Sequence, residues 1–288
     1  MTRPLPPVVS TAWLAAKLGH PGLRVIDASW YLPGSGRDPA AEYAAGHIPG
    51  AVFFDVDASS DARSPLPHML PAAAEFADRM AALGLNDTDQ LVVYDGSGVN
   101  LSAPRVWWTM RTFGHDQVAV LDGGMGMWRR ERRSLEEGGI TLPAGHFTAR
   151  LDSSAVRDLA AVRANIRTQA EQLVDVRSRQ RFAGIEPEPR PGLRSGHVPG
   201  SINLPFTELV HPDGSMLPLG ELRQRLAGSG IDFARPVIAT CGSGTSACAL
   251  TLGLHRLGHT QTAVYDGAWA EWGGRADTPV DSQPISQR

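Results

Sequence analysis

The chain has 288 residues, 42% of them hydrophobic and 20% charged, with a formal net charge of −3. Such a length gives one or two globular domains with room for a proper core. The slight acidity excludes a basic nucleic-acid footprint, and no apolar run approaches the roughly 18 residues of a membrane helix. Met1–Pro7 lacks the apolar centre of a secretory signal. Two cysteines seven positions apart, Cys241 and Cys248, make no disulfide framework. A reducing compartment, most simply the cytoplasm, is the expectation.

Taken in order, the chain repeats itself. Val25-Ile26-Asp27-Ala28-Ser29 answers Leu173-Val174-Asp175-Val176-Arg177, and Gly46-His47-Ile48-Pro49-Gly50 answers Gly196-His197-Val198-Pro199-Gly200. Leu91-Val92-Val93-Tyr94-Asp95-Gly96-Ser97-Gly98 answers Val237-Ile238-Ala239-Thr240-Cys241-Gly242-Ser243-Gly244. Leu121-Asp122-Gly123-Gly124 answers Tyr265-Asp266-Gly267-Ala268. Landmarks in one order mean a tandem duplication, with domains at 8–139 and 153–280. Helical periodicity is expected over 72–83, 103–113, 219–226 and 247–257, alternating with short apolar strands. That alternation gives α/β architecture: in each domain a mostly parallel sheet with helices on both faces. Residues 139–152, with Pro143 and Gly145, read as a linker. Residues beyond 278 read as a loose polar tail. Trp107, Trp108, Trp128, Trp269 and Trp272 are expected in core and interface packing.

The chemistry gathers where the strand Val237-Ile238-Ala239-Thr240 runs into Cys241 and a loop of small residues, with Leu250, Leu254 and Leu257 marking a helix beyond. Strand, tight loop and helix N-terminus aim backbone N–H groups and a positive dipole at one point. A thiol there favours its thiolate. Cys241 is the candidate nucleophile, and the N–H groups of Gly242, Gly244, Thr245, Ser246 and Ala247 are candidate anion stabilisers. Cys248, farther along the helix, is expected to be packing. In the first repeat Asp95 stands at the thiol's position, and its loop is two residues longer before Ser102 than the other is before Ser246. That domain is expected to be catalytically inactive. A phosphatase of this design needs an arginine six positions after the cysteine to fork the phosphate; Ala247 stands there.

The duplication, the Gly-His-(Ile/Val)-Pro-Gly signatures and the loop resemble the tandem rhodanese sulfurtransferases, and Cys241-Gly242-Ser243-Gly244 is similar to the 3-mercaptopyruvate branch. Thr245-Ser246 departs from that family's usual Val-Thr. The resemblance implies two substrate arginines, matched by Arg181 and Arg190. Rigid cationic forks suit an α-keto acid. It also implies a relay of Ser243 with His47 and Asp38. The expected activity moves sulfur from 3-mercaptopyruvate through a persulfide on Cys241 to a thiol, a thioredoxin-like protein or cyanide, with no cofactor and no metal. The alternatives are a thiosulfate:cyanide sulfurtransferase on the same scaffold and a non-enzymatic sulfur carrier or redox sensor.

Overall fold

The computed structural model describes residues 5–282; the first four residues of the N-terminal stretch and the last six of the tail lie outside it. The chain forms two compact units. One takes the chain through Ala62, with Leu70–Asp152 and Val210–Met216; the other takes Arg63–Met69, Ser153–Leu209 and the chain from Leu217. Each unit thus includes a short segment from the other repeat.

The first unit holds a five-stranded sheet of β1 (Val8–Val9), β2 (Leu23–Asp27), β3 (Ala51–Phe53), β4 (Gln90–Tyr94) and β5 (Val118–Leu121), ordered β1-β5-β4-β2-β3. The second holds β6 (Val156–Arg157), β7 (Gln172–Asp175), β8 (Ile202–Asn203), β9 (Val237–Thr240) and β10 (Thr262–Tyr265), ordered β6-β10-β9-β7-β8. All these pairings are parallel. The identical order confirms the duplication. Leu91, Val92 and Val93 in β4, and Val237, Ile238 and Ala239 in β9, are all fully buried, as unbroken apolar runs in a doubly covered parallel sheet should be.

The chain leaves β7 for β8 on one side and returns to β9 on the other, so the topological switch point lies between β7 and β9. Open parallel sheets bind ligands there, beyond the carboxyl ends of the strands. Cys241 follows β9, and Arg177 and Arg181 follow β7, so all three sit at that crevice.

The expected helices form at Ala73–Ala82, Ala103–Thr112, Leu219–Gly228 and Ala247–Arg256. The first core gathers Tyr94 and Trp128 with Val92, Ala119 and Leu121; the second gathers Tyr265, Trp269 and Trp272 with Val162, Leu173 and Ile238. Residues 139–152 differ from a free linker. Gly145 N–H donates to Ala81 O, Arg150 N–H to Phe113 O and Asp152 N–H to Thr112 O. Phe147 packs edge-on to Phe76. The stretch lacks periodicity because it is held strip-like against the first unit. Residues 278–281, expected to be loose, are held: Thr278 is buried and hydrogen-bonded to Trp272 O, and Asp281 pairs with His197 through the backbone.

Candidate active site

Cys241 is 2% exposed and its carbonyl accepts from Trp269 N–H at 3.0 Å, while Gly242 O accepts from Ala270 N–H at 2.9 Å. The loop entrance is therefore fastened to the short helix Ala268–Trp272. Ala268 opens that helix in left-handed backbone, φ 49°, a conformation costing about 1 kcal/mol or more outside glycine. Gly244, at φ 77°, turns the loop back toward the helix. Ser246 caps Ala247–Arg256 but makes no side-chain bond to it, which leaves the positive helix end to a ligand. Cys248 is fully buried with Sγ 3.4 Å from Gly244 O, a packing residue. Both cysteines are free thiols.

The first unit shows what such a loop does without a cysteine. Asp95 turns its own carboxylate into the cradle: Oδ2 accepts from the N–H groups of Ser102 and Ala103 at 2.9 and 2.8 Å, and Oδ1 from Ser97 N–H at 2.9 Å. The carboxylate thus fills its own loop at the position where the second unit carries the Cys241 thiol.

Arg181 lies over the Cys241 loop. Its Nη2 is 2.9 Å from where a Cβ on Gly242 would stand, so the glycine admits the guanidinium. Arg181 donates to Glu188 through Nε at 3.2 Å and through Nη2. Glu188, 1% exposed at its side chain, also accepts from Arg177 Nη1 at 2.7 Å. Arg177 in turn forks onto Asp175, donates to Gly196 O and stacks over Trp269 at 4.3 Å. Burial alone would depress the Arg177 guanidinium, but Asp175 and Glu188 hold its pKa above the ordinary value. This chain of alternating charges locks Arg181 in place. Arg190, two residues beyond Glu188, is half-buried in the same Pro-rich loop.

The histidine that touches Ser243 is His68. Its Nδ1 lies 3.0 Å from Ser243 Oγ, 3.2 Å from Ser243 O and 2.8 Å from Thr245 Oγ1. His68 belongs to Arg63–Met69, which folds with the second unit. Its left-handed backbone, φ 62°, follows Pro65-Leu66-Pro67.

His47 and Asp38, expected beside Ser243, have their contacts in the first unit. His47 is fully buried, stacks on Tyr43 at 4.2 Å and donates from Nδ1 to Tyr43 O. His197 repeats this in the second unit, stacked on Phe182 at 3.6 Å and donating to Phe182 O. Asp38 caps the helix Pro39–Ala45, accepting from Ala40 and Ala41 N–H. The expectation missed His68, Thr245 as its partner, and Glu188.

A cavity of about 400 Å³ elsewhere in the second unit is lined by Arg179, Glu208 and Arg225 and does not reach Cys241. Its arginines are already paired with Glu208. Among the described residues no cluster of His, Cys, Asp and Glu is arranged to hold a metal ion, and no helix is long and apolar enough to cross a membrane.

The rhodanese-like domain model matches residues 10–131 and again 158–275. The chain belongs to the rhodanese family. The 3-mercaptopyruvate sulfurtransferase of Escherichia coli K12 is 45% identical over 274 residues, covering 95% of this chain and 97% of that one. The mitochondrial thiosulfate/3-mercaptopyruvate sulfurtransferase 1 of Arabidopsis thaliana is 42% identical over 297 residues, 96% of this chain and 78% of its own. The crystal structure of the 3-mercaptopyruvate sulfotransferase SseA from Escherichia coli superposes with a TM-score of 0.84 at 42% identity, covering 91% of this chain and 98% of that one. Both rhodanese units keep the strand–loop–helix frame; only the second places a thiol in it.

Proposed function

We propose that this rhodanese is a 3-mercaptopyruvate sulfurtransferase working through a persulfide on Cys241. The observation that carries the reading is one loop in which a thiol, a locked arginine and a serine–histidine pair converge: Cys241, Arg181 over Gly242, and Ser243 against His68. Arg181 and Arg190 hold the carboxylate and carbonyl of the keto acid. The Cys241 thiolate attacks the substrate sulfur; the carbon–sulfur bond breaks, and its electron pair leaves as the enolate of pyruvate. Ser243, oriented by His68, delivers a proton to that enolate. The loop N–H groups and the helix end stabilise the persulfide anion until a thiol or cyanide takes the outer sulfur. His47 and Asp38 shape the first unit.

Gly242 and Ser243 place no charge next to the thiol, so Coulomb attraction for dianionic thiosulfate is weaker than a basic loop would supply. Thiosulfate remains the second donor to test, because the Arabidopsis relative carries both donors in its name. The deciding experiment measures kcat/KM for both donors on one preparation, with a mass spectrum after donor alone. A gain of one sulfur, about 32 Da, localised to Cys241 and lost on adding cyanide supports the covalent route. A preference for thiosulfate reverses the donor assignment. No gain with either donor makes the protein a binding module.

A further inference from the structure

Arg181 has two hydrogen-bonding edges, and the fold spends only one of them. Glu188 takes the side-on edge: Nε donates to one carboxylate oxygen at 3.2 Å and Nη2 donates to the other. A guanidinium carries five N–H groups in a rigid planar fork, so the two of Nη1 and the outer one of Nη2 remain. Among the described residues no acceptor takes them. This end-on edge is turned toward the thiol loop: a Cβ on Gly242 would lie 2.9 Å from Nη2, 3.9 Å from Cζ and 4.0 Å from Nη1, with Nε farther off. The Arg181 side chain is 18% exposed and that of Glu188 1%, so a ligand reaches the arginine and not the acid. Glu188 is itself pinned. Its other arginine, Arg177, donates at 2.7 Å and is tied to Asp175 and to Gly196 O. Asn203 Nδ2 closes the frame by donating to Asp175 O at 2.9 Å and to Arg177 O at 3.0 Å. Two arginines and two carboxylates carry no net charge together, so what this network gives a ligand is chiefly direction.

We infer that Glu188 is a positioning residue for substrate binding: by occupying the side-on edge of Arg181, it assigns the oxygens of the keto acid to the end-on edge, beside the Cys241 loop. The inference rests on the mercaptopyruvate reading above. An α-keto acid presents a carboxylate oxygen and the neighbouring carbonyl oxygen side by side, a pair that an end-on fork meets with two parallel N–H bonds. A guanidinium free to rotate must be ordered as the ligand arrives; one held in advance avoids that cost. Glu188 touches no substrate and exchanges no proton. Its effect passes entirely through Arg181.

The test is a double-mutant cycle on Glu188→Gln and Arg181→Met, with kcat and KM for mercaptopyruvate, the count of reactive thiols and the Tm measured for each variant. Glu188→Gln replaces one fork acceptor by an amide NH2 that Arg181 cannot use. Its KM should rise about tenfold, with kcat per reactive thiol within about threefold of wild type. Arg181→Met should raise KM at least as far, and adding Glu188→Gln to it should then change KM by less than about twofold. An acid that only holds the fold together would lower the Tm and the thiol count, leave KM alone and act equally in both backgrounds. Arg181→Lys asks the same question without disturbing the buried acid, should Glu188→Gln not fold. A lysine held by Glu188 has no second edge to offer, so its KM should match that of Arg181→Met. An unchanged KM in Glu188→Gln, additive effects in the double variant, or a wild-type KM in Arg181→Lys would each overturn the inference. So would a lowered KM in Glu188→Gln, which would make Glu188 a competing anion. Wild type that forms the persulfide only from thiosulfate would sink the mercaptopyruvate reading itself and this inference with it, and that failure appears before any variant is made.

Discussion

His68 and Gly214 hold corresponding positions in the two repeats and share left-handed backbone, at φ 62° and φ 83°. They stand at the same offset in the chain as Asp95 and Cys241, and each lies on a segment that folds with the other repeat's unit. Gly214 offers its carbonyl to Asn100 in the loop after Asp95, at 2.8 Å, and a Cβ there would meet Gly98 O at 2.5 Å. His68 offers an imidazole to the loop after Cys241. Glycine is the inexpensive residue for this geometry; where the thiol is, the chain bears a histidine in strained backbone instead.

Substituting that histidine separates geometry from proton transfer. Asparagine tolerates left-handed backbone, so His68→Asn should fold and still accept sulfur from thiosulfate. Its kcat for mercaptopyruvate should fall about a hundredfold, the usual scale of acid–base assistance. Steady-state kinetics with both donors checks this, and equal losses would reduce His68 to a shaping role.

Gly242→Ala tests how closely Arg181 must approach. The new methyl would sit 2.9 Å from Arg181 Nη2, an atom held by the buried Glu188 carboxylate, so one of the two must give. Thermal stability should fall by about 1–3 kcal/mol. Displacing the fork should cut kcat/KM for mercaptopyruvate about tenfold, mostly through KM. A wild-type KM would mean that Arg181 does not hold the substrate.

Asp95→Asn tests the internal carboxylate of the first unit's loop. Asp95 is 1% exposed, and an amide matches the N–H groups of Ser97, Ser102 and Ala103 less well than a carboxylate. The loss should be about 3 kcal/mol, a fall in Tm of roughly 6–12 °C, measured by calorimetry. Full wild-type stability would show that the loop holds without the charge.

Acid sensitivity should enter through His115. The ring is 6% exposed against Phe147 at 5.3 Å, and burial lowers its pKa from 6.5. Folded protein keeps it neutral where the unfolded chain binds a proton. This stability is therefore fully present above pH 6.5 and lost as pH falls below it. The Tm of wild type should drop as pH falls below 6.5, ahead of most carboxylates. His115→Gln should flatten that interval; an equal slope in the variant would place the effect elsewhere.

Much of the fold was legible because it is written locally. The apolar runs at β4 and β9, the small-residue loop and the helix after Ser246 are short-range patterns, and duplication shows each twice. The Ser243 partner was not local. His68 precedes it by 175 residues, and only tertiary placement of Arg63–Met69 brings the two together. His47 drew attention because its motif is conspicuous, yet the matching stack of His197 on Phe182 shows that motif closing a loop in both units. Glu188 was overlooked because an acid between prolines looks solvated; two arginines bury it.

The exchange of segments gives the first repeat a hold over the loop that carries Cys241. A fragment beginning at Ser153 would contain Cys241, Ser243, Arg181 and Arg190 but not His68. The peptide chain between Met69 and Ser153 is in that sense a leash on the histidine beside Ser243. On the proposed mechanism, a chain without the first repeat would hold the thiol loop but lack the histidine that lies against Ser243.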